Sequence, residues 1–467
     1  MARDGTPARS LRGVPPLPGG RPALLIAFAF SVMADPVSSV AYAVEAALRE
    51  LDGNLHLLLP TMGVVLLIIA LVITNYSQLV NRFPEGGGAA AASGTAFGEG
   101  WAFVPIGALV VDFVLTIAIS VSAAASAAIA FVSALAPWRV GIALLLLLTV
   151  AALTWFGHLG RVLFAGMTLV FIGLCVLVIA GGLHTATAVA AAGDGGPPGQ
   201  VALVAVLLAF PVAMALATGV EAPSSAIAEL DELDDAGRRR FGRITLWLTL
   251  AVVGALTLGL TAVAVRLGIG IPNEGSTLAS DVARASDGGA LHGLFQLSTA
   301  LLLLAATSSS LQAGPGLLKA LARHREHDGS RTGILPQWLG VTNARHTPYW
   351  AVLVFVVLGG AVVLAADARD QVLVLFYAVA VFLGFLLGLA AMAKFSHDER
   401  RRASTVMNVT GAVIVAFTLV INLMRGLPLV SLAAAGLIAL ALYGSWVQAG
   451  RPRGVARAVT VRVVRRP

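Results

Sequence analysis

Three acidic residues stand inside otherwise apolar stretches of this chain. They are Asp35 in Met33-Ala34-Asp35-Pro36, Asp112 in Val111-Asp112-Phe113-Val114, and Glu221 in Thr218-Gly219-Val220-Glu221-Ala222. An ionised carboxylate at mid-bilayer is expensive, so such groups face a bundle interior and mark the path of an ion or proton. Asp112, Thr116 and Ser120 recur at i, i+4 and i+8, which aligns them on one helix face. Carboxylate, hydroxyl and carbonyl oxygens are the ligands that replace the hydration shell of a hard cation such as potassium. Hydroxyls within membrane helices also bond across helices, so Thr116 and Ser120 gain functional weight from standing beside Asp112. Two carboxylates on one cavity repel each other and should not both stay ionised when it is empty. One potassium ion and one proton would neutralise the pair, so Asp35 and Asp112 are expected to share cation binding and proton coupling.

The elements that must position these groups are long apolar helices. The chain has 467 residues, 58% of them hydrophobic and only 12% charged, with a mean hydropathy of +0.89. That composition selects the membrane class, in which each span takes about 20 mostly apolar residues. The expected spans are 22–48, 56–80, 101–136, 140–156, 162–186, 200–227, 244–266, 291–321, 349–366, 371–393, 405–424 and 427–448. They form an all-α membrane domain over 22–448, between an Arg/Pro-rich tail at 1–21 and a basic tail at 449–467, with no soluble domain expected. Residues 1–21 followed by an apolar run ending Val32-Met33-Ala34 resemble a signal peptide, but apolar sequence continues to Leu48, so no cleavage is expected.

Two of these spans carry backbone breakers in their interiors, Pro36 in the first and Gly219 in the sixth, the latter followed by Pro223. Unwound backbone is tolerated in a membrane where it lines a cavity. Interrupted spans at matching positions in two halves point to a transporter's binding site. The offset of five predicts a five-plus-five inverted repeat with discontinuous helices one and six, to which spans eleven and twelve are appended.

Basic residues orient the chain. With the N-terminus in the cytoplasm, all but six of the 31 Lys and Arg fall on the cytoplasmic side, the exceptions being Arg49, Arg139, Arg266, Arg284, Arg369 and Arg425. Both termini are therefore expected in the cytoplasm, with loops 187–199 and 267–290 outside. The net charge of +7 sits in short loops and in the tail Arg451–Arg466, which suits anionic lipid in a cytoplasmic membrane and excludes nucleic acid as a partner. Cys175 lies mid-span and reads as inert packing. His324-x-x-His327 sits in an Arg-rich loop and reads as solvated; Gly86–Gly88 lacks the Lys and Ser/Thr of a phosphate-binding loop. Trp101, Trp138, Trp350 and Trp446 lie near span ends as interfacial anchors. Hydrolase motifs and a Thr-Val-Gly-Tyr-Gly filter are missing from the sequence, which argues against an enzyme and a channel. No cofactor is expected beyond a coupling proton, and a homodimer stays open.

Several short motifs carry a family resemblance. Phe83-Pro84-Glu85-Gly86-Gly87-Gly88-Ala89 follows span two, Thr218-Gly219-Val220-Glu221-Ala222 lies in span six, and Ile334-Leu335-Pro336 with Thr347-Pro348-Tyr349-Trp350 leads into span nine. In this order and spacing the chain resembles the amino acid–polyamine–organocation superfamily, whose fold is the LeuT type. Span one has Asp35-Pro36 with Ser38-Ser39-Val40-Ala41-Tyr42 in place of the Gly-x-Gly-like break of amino-acid carriers, and so resembles the KimA-type potassium–proton symporters. That resemblance implies a cation site of Asp35, Tyr42, Asp112, Thr116, Ser120, Thr218 and Tyr377. Phe113 stands where the potassium branch tends to have tyrosine. The alternative on the same fold is a proton-coupled amino-acid permease that holds the substrate carboxylate on amides around Ala217–Val220.

Overall fold

The computed structural model describes residues 20–156, 160–185, 199–230, 233–287, 289–325 and 331–455. Most of the tail at 1–21, the loop 187–199, His327 and the tail beyond 455 lie outside the described residues. Among the described residues ten helices are long and apolar enough to cross a membrane, and two shorter apolar helices, Pro22–Val32 and Tyr349–Ala365, occupy the positions expected for spans one and nine.

Span one runs as three helical pieces, Gly20–Val32, Ala34–Ser38 and Val40–Glu50. Span two is Leu55–Arg82, and a short helix Gly88–Phe97 leads to span three at Phe103–Phe131. Arg139–Phe156 and Arg161–His184 form spans four and five. Span six comprises Gly199–Ala213, a tight turn of helix at Met214–Ala217, and Ala222–Ala226 beyond the break. Span seven, Asp235–Leu267, is joined to span eight, Ala290–Leu321, through an outer helix Leu278–Asp287. Spans nine to twelve are Tyr349–Ala365, Asp370–Asp398, Arg402–Leu423 and Leu429–Gln448. A two-residue hairpin pairs His324–Arg325 with Arg331–Thr332.

Span three is the most enclosed of the long helices, and spans eight, nine, ten and twelve all pack on it. In lipid, helix association rests on van der Waals fit and polar contacts, so small residues mark the closest approaches. Gly107 is one: a Cβ placed there would stand 2.6 Å from the Ala435 carbonyl oxygen of span twelve. Span eleven is held by amides. Asn75 of span two donates to the Asn408 side chain at 2.8 Å, and Asn408 donates to Gln78 at 2.9 Å. Arg425, between spans eleven and twelve, pairs with Glu50 at the end of span one at 2.7 Å and donates to the Leu208 carbonyl of span six. The appended pair is thus fastened to both interrupted spans.

Two expectations need adjustment. Span one is divided at Met33 and Ser39, yet both keep right-handed helical angles, so the discontinuity is a kink without an extended stretch. Pro36 removes only its own N–H. The Ser38 and Ser39 hydroxyls bond the Asp35 and Pro36 carbonyls, each at 2.7 Å, so these carbonyls are already partnered. Trp446 also differs from a simple interfacial anchor: its indole packs against Phe103 and Tyr443 and donates to the Pro452 carbonyl at 2.9 Å.

Gly107→Val should force spans three and twelve apart and lower stability by roughly 1–3 kcal/mol, as overpacking does. Thermal unfolding in detergent measures it; an unchanged midpoint would contradict this helix contact.

Candidate functional site

The site forms where the two interrupted spans meet. In span six the helix tightens through Met214–Ala217, Thr218 turns extended at φ −52° and ψ 129°, and Gly219 adopts φ +70°. Glycine is the residue that takes this left-handed conformation without steric cost. It is needed for a second reason: a Cβ on Gly219 would stand 2.6 Å from Asp35 Oδ2 and 2.8 Å from its Cγ. The carboxylate of span one therefore lies directly on the backbone break of span six. Ser39 fastens the same junction, its hydroxyl reaching the Leu216 carbonyl at 3.2 Å.

Span three supplies the facing wall. Asp112, Thr116 and Ser120 are all buried. Elsewhere in the bundle hydroxyls bond the carbonyl one turn back, as Thr61, Thr168, Thr299 and Thr307 do. Thr116 and Ser120 do not, and their oxygens have no partner among the described residues, as is also the case for Thr154, Thr245, Thr257 and Thr261 away from the site. Asp35 Oδ1, Asp112 Oδ1 and the Tyr377 hydroxyl are likewise buried and without a partner at hydrogen-bond distance. An unsatisfied buried polar atom costs free energy comparable to a lost hydrogen bond. Two carboxylate oxygens and a tyrosine hydroxyl in this condition within range of one another are what a ligand site requires.

Tyr377 of span ten faces Asp112, and Tyr42 of span one faces Thr218. The Thr218 hydroxyl donates to the Ala215 carbonyl at 2.5 Å, which turns its lone pairs to other groups. Asp35 and Asp112 lie within electrostatic range of each other. Six of the seven residues singled out in the sequence are buried and Asp35 is half-buried; Asp35, Tyr42, Asp112, Thr218 and Tyr377 lie within electrostatic or hydrogen-bonding range of one another. Ser120 is the outlier. It lies two turns from Asp112, about 12 Å along the axis, so it extends the polar face beyond one ion's coordination shell. Phe113, beside Asp112, packs against the apolar core.

A small cleft opens beside the junction and reaches Asp112. Asp112, Glu221, Tyr76 and Phe385 line it, with Gly87, Gly88 and Ser224 on the side of the short helix. Gly88 has φ +46°, and a Cβ there would lie 3.0 Å from Ser224 Oγ, so span six closes tightly on this turn. At the opposite end the bundle is tied shut. Glu45 accepts the Leu278 amide at 2.9 Å, and Ser126 donates to Asp370 at 2.7 Å. Arg139 reaches both Ser126 and the Glu274 carbonyl, each at 2.8 Å. Sequence reasoning missed Tyr76 and the Gly87–Gly88 mouth. The polar island Thr74-Asn75-Tyr76-Ser77-Gln78 within span two was the available signal for the first.

A multi-pass helical bundle, two interrupted spans meeting at membrane-embedded carboxylates, and a cleft leading to Asp112 together define a permease-type transporter. The chain belongs to the amino acid permease family, which matches residues 24–444. It is 29% identical over 382 residues to the potassium transporter KimA of Bacillus subtilis (strain 168), an alignment covering 77% of this chain and 59% of that protein. The chain thus spans less than two thirds of the length of this relative. Its fold is similar to a mutant manganese transporter of Eremococcus coleocola, at TM-score 0.50 and 15% identity, covering 97% of this chain and 98% of that one. The same transporter bound to an aromatic bis-isothiourea compound gives TM-score 0.50 and 14% identity, covering 95% and 97%.

Gly219→Ala should abolish substrate binding while leaving the protein in the membrane, because it adds left-handed strain of about 1–2 kcal/mol to a clash with Asp35. Ligand binding by purified variant protein checks this, and wild-type affinity would contradict the junction.

Proposed function

We propose that this permease takes up potassium together with a proton. The observation that carries the reading is the Asp35 carboxylate seated on the Gly219 break. An amino-acid carrier on this fold would bring a substrate carboxylate to amides of the same segment, and here the protein's own carboxylate stands there. A second negative charge brought to that place would be repelled, whereas a bare cation would be attracted. Around it are the unpartnered oxygens of Asp112, Thr116 and Tyr377, with Tyr42 and Thr218 beside them. This is an oxygen donor set of the kind that replaces potassium's hydration shell. The similarity to a potassium transporter supports the same cargo.

Asp35 and Asp112 hold the cation between them, and a co-transported proton offsets further carboxylate charge. Ser120 lines the polar path beyond the ion. The excess of basic residues in the loops on the Arg82 and Glu399 side supports a cytoplasmic-membrane protein with that side, and both termini, facing the cytoplasm. The ties at Glu45, Ser126 and Arg139 then seal the outer end while the inner cleft is open. Breaking them as the bundle of spans one and six rocks would alternate access.

Potassium binding by calorimetry on purified protein tests the reading. Wild type should bind potassium; Asp35→Asn and Asp112→Asn should each weaken binding by at least about a hundredfold, since each strands a buried charge at a cost of several kcal/mol. Phe113→Tyr should retain or strengthen it by adding an oxygen. Stereospecific amino-acid uptake without wild-type potassium binding would establish the permease alternative.

A further inference from the structure

Exposed bases and exposed aromatic rings meet at one corner of the bundle, where span twelve ends and span three begins. Beyond span twelve the chain reverses at Gly450 and Arg451, both with left-handed backbone angles. It then lies back against the turn Glu99–Ala102 that opens span three. Two bonds pin it there: the Trp446 indole donates to the Pro452 carbonyl at 2.9 Å, and the Gly454 amide donates to Glu99 Oε1 at 2.7 Å. Val455, just beyond, is buried in the core. Arg453 stands between the two pinned residues, so its backbone is fixed although the residue is exposed. Arg451 lies over the Trp446 ring, 5.9 Å from its centroid.

The surface around these arginines is aromatic. Tyr443 packs on Trp446 and covers Gly100, where a Cβ would stand 3.0 Å from the tyrosine ring. Trp101 is 54% exposed and meets Phe97, and Lys394 of span ten reaches over the Phe97 ring at 5.4 Å. Lys394, Arg451 and Arg453 are all exposed, and among the described residues none of them has an ion pair. A soluble anion would need the charge alone. Tryptophan and tyrosine instead collect at the headgroup level of a bilayer, and basic side chains at that level attract anionic lipid. Bases and rings interleaved on one surface therefore match a lipid, whose phosphate meets the bases and whose glycerol and upper chains meet the rings.

The same corner is tied to the cleft. Its aromatic residue Phe97 ends the short helix Gly88–Phe97, and Lys394 donates to the Ala96 carbonyl in that helix's last turn. The helix is about 15 Å long, and its other end is the Gly88 turn that closes on Ser224 of span six. A group that draws Lys394 and the Arg451–Arg453 segment together over Phe97 and Trp101 fixes one end of a rod whose other end is the cleft lip.

We propose that this corner binds the phosphodiester headgroup of an anionic phospholipid, and that the bound lipid holds the Gly88 end of the short helix against span six. Lipid binding here is independent of which solute the protein carries.

The test uses the purified full chain in detergent with phosphatidylglycerol, phosphatidylcholine or inorganic phosphate added. Phosphatidylglycerol should raise the thermal unfolding midpoint by at least about 2 °C over phosphatidylcholine, and inorganic phosphate should leave it unchanged. The double variant Arg451→Gln/Arg453→Gln should unfold like wild type without added lipid and lose the phosphatidylglycerol increment. Should it fail to fold, Arg453→Gln alone should lose at least about half of the increment. An increment kept in full by the folded variants would overturn the site, and stabilisation by inorganic phosphate equal to that by phosphatidylglycerol would overturn the lipid assignment. Ser225 is exposed and lines the cleft beside Gly88, so it reports on the lip. Maleimide labelling of Ser225→Cys in a Cys175→Ser background should slow at least about threefold in phosphatidylglycerol relative to phosphatidylcholine. Equal labelling rates in the two lipids would overturn the coupling to the cleft. None of these readouts uses the cargo, so failure of the potassium reading and failure of the lipid site are seen separately.

Discussion

Carboxylates buried without a basic partner are the constraint around which this bundle is organised. Breaking a buried ion pair is strongly destabilising because it leaves one charge uncompensated. Asp35, Asp112 and Glu221 stand in that condition: among the described residues no ion pair reaches them. Basic side chains are used elsewhere, at the bundle ends: Arg49 on Glu45, Arg425 on Glu50, and Arg82 on Glu399. The last pair lies at the cytoplasmic surface in the proposed orientation, and Arg82 holds the Glu399 carboxyl below the usual carboxylate range. Charges at the bundle ends are thus paired within the protein, whereas the central ones have no ion pair among the described residues.

Such a site needs a scaffold that places polar backbone next to polar side chains and keeps lipid away from both. Span three does this by packing against spans four, eight, nine, ten and twelve, so that Asp112 and Thr116 are buried in protein. Span six contributes the only departure from right-handed backbone among the pieces that meet at the junction, and it does so at Thr218 and Gly219. Span one provides Asp35 on a kinked helix whose loosened carbonyls are taken by Ser38 and Ser39. The two interrupted spans therefore play unequal parts: one delivers a charge and the other delivers backbone shaped to receive it.

Much of this was legible in the sequence because bilayer physics leaves few alternatives. Runs of about 20 apolar residues located the spans, and a carboxylate such as Asp112 inside one could only face the interior. Pro36 and Gly219 gave the positions of both interruptions. The pattern did not reveal how each break would be resolved, since that depends on neighbours: serine hydroxyls keep span one helical, whereas the approach of Asp35 requires a bare Cα at Gly219. The periodicity of Asp112, Thr116 and Ser120 was read correctly as one face, but a shared face spans more axial distance than one ion can bridge. Tyr76 escaped notice because its role comes from facing Glu221 across the cleft, a relation between distant segments that no local pattern encodes.

The central claim is that a monovalent cation rests between Asp35 and Asp112 beside the Gly219 break. Thallous ion is a heavy substitute for potassium, and its anomalous scattering locates it without reference to transport. Diffraction from crystals of this protein grown with a thallous salt should show an anomalous peak at that junction, within about 3 Å of carboxylate and hydroxyl oxygens, the distance of direct coordination in place of water. A junction without anomalous density, in crystals that bind thallous ion elsewhere, would contradict the account.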